Sequence, residues 1–218
     1  MRNKFDNELM ELNHKLVKMG SLCEYAISLA MKCFEINSDV TVEMVKTVEI
    51  QIDEFENEIE RQCLKLLLQQ QPVAKDLRMI SSVLKMITDL ERIGDQAVDI
   101  SEMSKYSKNI NLHIKKMAEV AITMLSLSID AFVKSDIELA NQAIKKDDVV
   151  DSLFLSIRCD IINEMKIKTD DAELALDMLM ISKYLERIAD HAVNVSEWVI
   201  FSITGLHKGE SYDSNTRG

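Results

Sequence analysis

Two stretches of this chain are near copies of one another. LERIGDQAVDISE runs over 90–102 and LERIADHAVNVSE over 185–197, with nine of thirteen positions identical at an offset of 95. A long internal repeat constrains the fold more than composition does, because what one copy builds the other must build too. Around the first copy, Met79, Val83, Met86, Leu90, Ile93, Ala97 and Ile100 step by four and three. Leu174, Met178, Ile181, Leu185, Ile188, Ala192 and Val195 do the same around the second. That spacing is the buried seam of an amphipathic helix, and two such seams predict an antiparallel helical bundle. One proline and five glycines in 218 residues leave little to interrupt the helices. The predicted class is all-α.

Turn signals at 37–39, 69–72, 104–111, 134–136 and 166–170 divide the chain. The spacing between them predicts helices over 6–36, 39–70, 73–104, 111–134, 136–166 and 169–203. Ser135 and Glu138 read as a capping box, and Thr169 as a cap ahead of Asp170 and Asp171. The repeat reaches further back, since 19–53 aligns with 117–151 and brings Phe34 onto Phe132. The expected organisation is two tandem three-helix bundles, each up-down-up. The first occupies 1–107 and the second 108–204, with 205–218 a frayed tail. Two similar halves point to a pseudo-twofold arrangement.

The net charge of −11 argues against a nucleic-acid footprint. No apolar run approaches the ~18 residues of a membrane span, and the first residues hold no signal-peptide core, so the expected location is the cytoplasm. Cys23, Cys33, Cys63 and Cys159 form no CxxC pair and read as small core residues in a reducing compartment. There is no P-loop, nucleophile elbow or glycine-rich phosphate loop. A carboxylate-bridged metal enzyme of the ferritin-like type is the rival reading. It needs two ExxH motifs, and only Glu11 with His14 supplies one. The chain therefore reads as a non-enzyme.

Each copy of the motif carries two carboxylates four apart: Glu91 with Asp95, and Glu186 with Asp190. Like charges at that spacing cost a helix roughly 0.2–0.5 kcal/mol. The preceding helix of each half adds another such pair, Glu49 with Asp53 and Asp147 with Asp151. In the first half the pair centres, 51 and 93, are symmetric about residue 72, where the chain turns. In the second half 149 and 188 are symmetric about the turn near 168.5. Antiparallel helices rise at equal rates, so equal distances from a turn mean equal height. Four carboxylates then share one level in each half and repel unless something positive lies between them; lysine or arginine could do this, and a multivalent cation does it better. All-oxygen ligation suits Mg²⁺, Ca²⁺, Mn²⁺ or ferric iron.

The repeat also prunes this set. Glu56 and Glu60 align with Phe154 and Arg158, so they are not duplicated and are set aside. Asp99 aligns with Asn194, and Gln96 with His191, which points about 100° from Asp190 around the helix. Arg78, Arg92 and Arg187 read as helix-surface charge, with bracing of the carboxylates or contact with a partner as the functional alternatives. Trp198 reads as packing.

QPVAKDLRMISSVLKMITDLERIGDQAVDISE (71–102) and YLERIADHAVNVSEWVIF (184–201) resemble the signatures of the PhoU family of phosphate-signalling regulators. The resemblance implies two three-helix bundles holding multinuclear metal clusters, usually iron or zinc. It assigns them to Glu49, Asp53, Glu91 and Asp95, and to Asp147, Asp151, Glu186 and Asp190. Asp147 departs from the Glu of the first repeat, and its shorter arm bears on nuclearity or affinity there. The family's role implies negative regulation of phosphate uptake and of the phosphate-starvation response. The implied partners are the ATP-binding subunit of a phosphate ABC transporter and a sensor histidine kinase. Regulation of a sodium–phosphate cotransporter is the other role relatives suggest. A homodimer, reaching the membrane only through partners, is also implied.

Overall fold

The structure, a computed structural model, describes residues 2–69, 72–105, 110–167 and 172–206. Its elements are α1 (Arg2–Lys32), α2 (Val42–Gln69), α3 (Ala74–Met103), α4 (Leu112–Lys134), α5 (Ile137–Lys145), α6 (Asp147–Ile167) and α7 (Ala172–Thr204). No strand occurs among the described residues. Five helices match the predicted ones to within a few residues. The fifth predicted helix, 136–166, is interrupted once and becomes α5 and α6. Lys146 lies between them and keeps a right-handed backbone (φ −73°, ψ −15°). Around it the ladder tightens to three-residue steps, with Lys146 N–H donating to Ala143 O and Val149 N–H to Lys146 O. The interruption places Asp147 and Asp148 in the first turn of α6, where the positive end of the helix favours acidic side chains.

Helix ends correct two further expectations. Ser135 does not cap α5; it closes α4 in the left-handed region at φ 50°. Asp136 caps α5 instead, its carboxylate accepting from the N–H groups of Glu138 (2.8 Å) and Leu139 (3.3 Å). Thr169, Asp170 and Asp171, the boundary at 107/108 and the tail beyond Leu206 lie outside the described residues.

α1, α2 and α3 pack together, and so do α4, α5, α6 and α7. The two sets are joined along α3 against α7 and α1 against α4, so equivalent helices of the repeat meet. One contiguous core runs through both sets. The predicted seams supply it: Val83, Met86, Leu90, Ile93, Ala97 and Ile100 of α3 are fully buried, as are Ile181, Leu185, Ile188, Ala192 and Val195 of α7. Met79 and Leu174, at the seam ends, are only partly covered. Cys23, Cys33 and Cys63 are buried, but Cys159 is exposed, against expectation. It falls off the α6 row of Leu153, Ile157 and Ile161 that meets the core.

The α3–α7 contact carries the pseudo-twofold relation in its polar groups. Asp89 Oδ1 lies 2.8 Å from His191 Nδ1 and accepts from Asn194 Nδ2 at 3.1 Å. At the other end, Asp99 feels the charge of Arg187 and in turn acts on Tyr184. Moving the pair of Asp89 and Asn194 by the repeat offset, with the helices exchanged, produces the pair of Tyr184 and Asp99. Between α1 and α4 the approach is close at Gly20, where an added Cβ would stand 2.7 Å from Ile129 Cγ1.

Candidate metal centre

α2 and α3 form an antiparallel hairpin whose carboxylates meet where equal distance from the turn places them. Glu49, Asp53, Glu91 and Asp95 are all half-buried. Burial pushes the Glu49 carboxyl up; the charges of Asp53 and Asp95, and a hydrogen bond to Asp53, push it further. Glu91 is pushed up to about 7, by burial first and then by Asp95, with Arg92 opposing and Glu56 and Asp53 adding. Glu49 thus feels Asp95, and Glu91 feels Asp53, which are the partners equidistant from residue 72.

The second half repeats the arrangement with a more open rim. Asp147 and Glu186 are half-buried, while Asp151 and Asp190 are exposed. Asp147 is pushed up to about 6 by burial, then by Asp151, Asp190, Asp148 and Glu186. Asp190 keeps one side in water, yet its crowded side dominates. Its carboxyl is raised by lost hydration and then by Glu186, with Lys183 and His191 opposing and Asp151 adding. All eight sequence-selected carboxylates therefore fall into two groups of four.

Three more participants join the clusters: sequence reasoning set aside Glu56, held bracing by Arg92 only as an alternative, and missed Lys183. Glu56, set aside because the repeat does not keep it, is raised by burial and then by Asp53 and Glu60, with Arg92 opposing and Asp95 adding. Its signal was its place one turn beyond Asp53 on the same helix. The other two are basic. Arg92 Nη1 donates to Asp95 Oδ2 at 3.0 Å, and its Nε lies 3.3 Å from Glu91 Oε2. Lys183 pairs with Glu186 and sits 5.7 Å from the centre of the Phe154 ring, the residue that replaces Glu56. Arg92 thus braces both acids of its motif from an exposed position. His191 is turned to Asp89. Trp198 packs edge-on against Phe201, with ring centres 5.8 Å apart, as expected.

Among the described residues, no three His, Cys, Asp or Glu side chains are gathered into a metal-holding group. Arg92 and Lys183 engage the carboxylates instead. The donor chemistry nonetheless fits a hard cation, because every candidate donor is a carboxylate oxygen. Burial is the first cause of both raised carboxyls, and the neighbouring acids add to it.

Residues 16–104 and 114–199 each match the profile described as the PhoU domain. The phosphate-specific transport system accessory protein PhoU homolog of Clostridium acetobutylicum is 36% identical over 210 residues, covering 94% of this chain and 96% of the relative. PhoU homolog 1 of Thermotoga maritima is 31% identical over 212 residues, covering 94% and 91%. The crystal structure of PhoU from Pseudomonas aeruginosa has a TM-score of 0.86 at 28% identity, covering 93% of this chain and all of that one. The phosphate transport system regulatory protein PhoU from Streptococcus pneumoniae has a TM-score of 0.83 at 27% identity, covering 93% and 98%. These are names of accessory and regulatory proteins, not of enzymes. With both repeats matched and one all-helical fold shared along nearly its whole length, this chain belongs to the PhoU family.

Proposed function

We propose that this chain is a metal-binding accessory protein of phosphate-specific transport. It restrains phosphate uptake and the phosphate-starvation response by linking the transporter's ATP-binding subunit to a sensor histidine kinase. It acts in the cytoplasm as a homodimer. The observation that carries the reading is the pair of duplicated carboxylate clusters, one in each half, in a chain that spans 94% of its length against named phosphate-transport accessory proteins. No helix of the described residues is long and apolar enough to cross a membrane, which supports docking on membrane components rather than insertion. Exposed Leu155, Ile162, Met165, Leu176 and Met180 on α6 and α7 supply apolar surface for protein contacts.

Affinity capture from phosphate-replete cells, with and without chelator, tests the partner reading. Recovery of the transporter ATPase is expected, and an unrelated partner set sinks it. Recovery of a sodium–phosphate cotransporter would move the role to that system. Metal content of chelator-free protein tests the sites. Asp95→Asn and Asp190→Asn are each expected to lose metal from one cluster, and unchanged metal in both defeats the metal reading.

A further inference from the structure

The first helices of the two repeats, α1 and α4, are not equally long. In the first half α1 runs on through residues 2–13, about three turns, along the tip where α2 ends and α3 begins. Phe5 and Leu12 of this extension are buried. Gln62 Nε2 donates to Glu8 O at 2.8 Å, and Lys65 Nζ donates to Glu8 Oε1 at 3.0 Å. On the tip itself Cys63, Leu66 and Ile80 are fully buried. The repeat equivalents of 2–13 are 100–111, the end of α3 and the connection that follows it, so α4 starts only at Leu112. That start is pinned to α6. Asn111 caps it, accepting from His113 N–H at 2.7 Å, while Asn111 Nδ2 and His113 Nδ1 lie 2.9 and 2.7 Å from Asp160 Oδ2. Asp160 is the counterpart of Gln62. Among the described residues, no helix continues α4 along the α6–α7 tip.

The side chains of that tip differ accordingly. Glu164 takes the place of the buried Leu66 and is exposed, and Ala175, in the place of the buried Ile80, is half-buried. Ile162, Met165 and Leu176 are exposed. Two antiparallel helices leave a groove between them that a third helix fills, and the first half shows it filled. Charge is reversed as well. Residues 63–69 and 77–82 of the first tip hold Lys65 and Arg78 and no acid. They receive an extension with Asp6, Glu8 and Glu11 against Arg2 and Lys4. Residues 161–167 and 172–177 of the second tip hold Glu164, Glu173 and Asp177 against Lys166. We propose that the α6–α7 tip is a docking groove for one basic, amphipathic helix of a partner protein, seated where α1's first turns lie in the first half. The α1 extension of a second copy is the wrong occupant. Its Glu8 would find Asn163 in place of Lys65, next to Glu164. Docking of this kind needs no metal at the carboxylate clusters and holds for any partner that presents such a helix.

Fluorescence anisotropy with the full chain and two labelled peptides tests this. One peptide is residues 2–16; the other is the same with Asp6→Lys, Glu8→Lys and Glu11→Lys. Both are held helical by a staple on the face away from Phe5, Leu9 and Leu12. The basic peptide is expected to bind about tenfold more tightly than the native one. Glu164→Lys and Met165→Ser in the chain are each expected to weaken it at least about threefold, one through charge and the other through lost apolar contact. Leu64→Ser, an exposed apolar position on the first tip, is expected to leave binding unchanged. No binding of the basic peptide overturns the proposal, and so does binding that neither Glu164→Lys nor Met165→Ser weakens. Tighter binding of the native peptide would assign the groove to a second copy instead. Equal binding of the two peptides would remove the charge selection, and equal weakening by Leu64→Ser would reduce the contact to general stickiness; either result overturns the proposal. All three substituted side chains are exposed, and matching thermal midpoints confirm that the variants fold.

Discussion

Glu91 ionises near pH 7 in the folded chain and near its ordinary 4.5 when unfolded. Between those values the folded state holds more protons than the unfolded one, so stability falls as pH rises. Asp147 adds the same sign between its ordinary 3.8 and about 6. Chelator-treated protein is therefore expected to melt at lower temperature as pH rises through this window, and Glu91→Gln is expected to flatten the dependence. Scanning calorimetry across the window decides it, and a midpoint that climbs with pH would refute the assignment. Added hard cation is expected to reverse the trend, because it offsets the charge that protons offset at low pH. Neither effect was legible in the sequence. The i,i+4 spacing revealed repulsion within each motif, but the burial that dominates both shifts comes from packing between helices.

At the scale of elements, the apolar seams were legible because a helix that repeats its hydrophobic steps has one way to bury them. Equal rise per residue also made the carboxylate pairing legible, as the coupling of Glu49 to Asp95 and of Asp147 to Asp190 shows. The break at Lys146 was not, since no proline or glycine marks it. Symmetry itself misled at Glu56: pruning by the repeat discards whatever one half holds alone. Gly20 shows a constraint visible only in three dimensions. The sequence places it mid-helix, where a larger residue would be favoured by propensity. Ile129 of α4 leaves no room for a side chain. Gly20→Val is expected to destabilise the fold by about 1–3 kcal/mol through overpacking, read from urea denaturation. No loss would mean that α1 and α4 do not approach as closely as described.

For the whole molecule, the decisive contact is α3 against α7. It buries the apolar seams of both repeats in one core, so neither half completes its core alone. A chain ending at residue 107 would bare the face of α3 that α7 covers. It is expected to self-associate, which sedimentation velocity would show as a dimer; a well-behaved monomer would contradict the shared core. The pseudo-twofold contact also carries a historical consequence. Equivalent helices meeting across a twofold form the isologous interface that two identical short chains would make. In such an ancestor every substitution would appear at both ends of the interface, and the two clusters could never differ. Joining the copies into one polypeptide ended that obligation. Asp99 could then part from Asn194, Gln96 from His191, and Thr88 from Lys183. Tandem fusion is thus what permits two ancestrally identical carboxylate clusters to diverge within a single gene product.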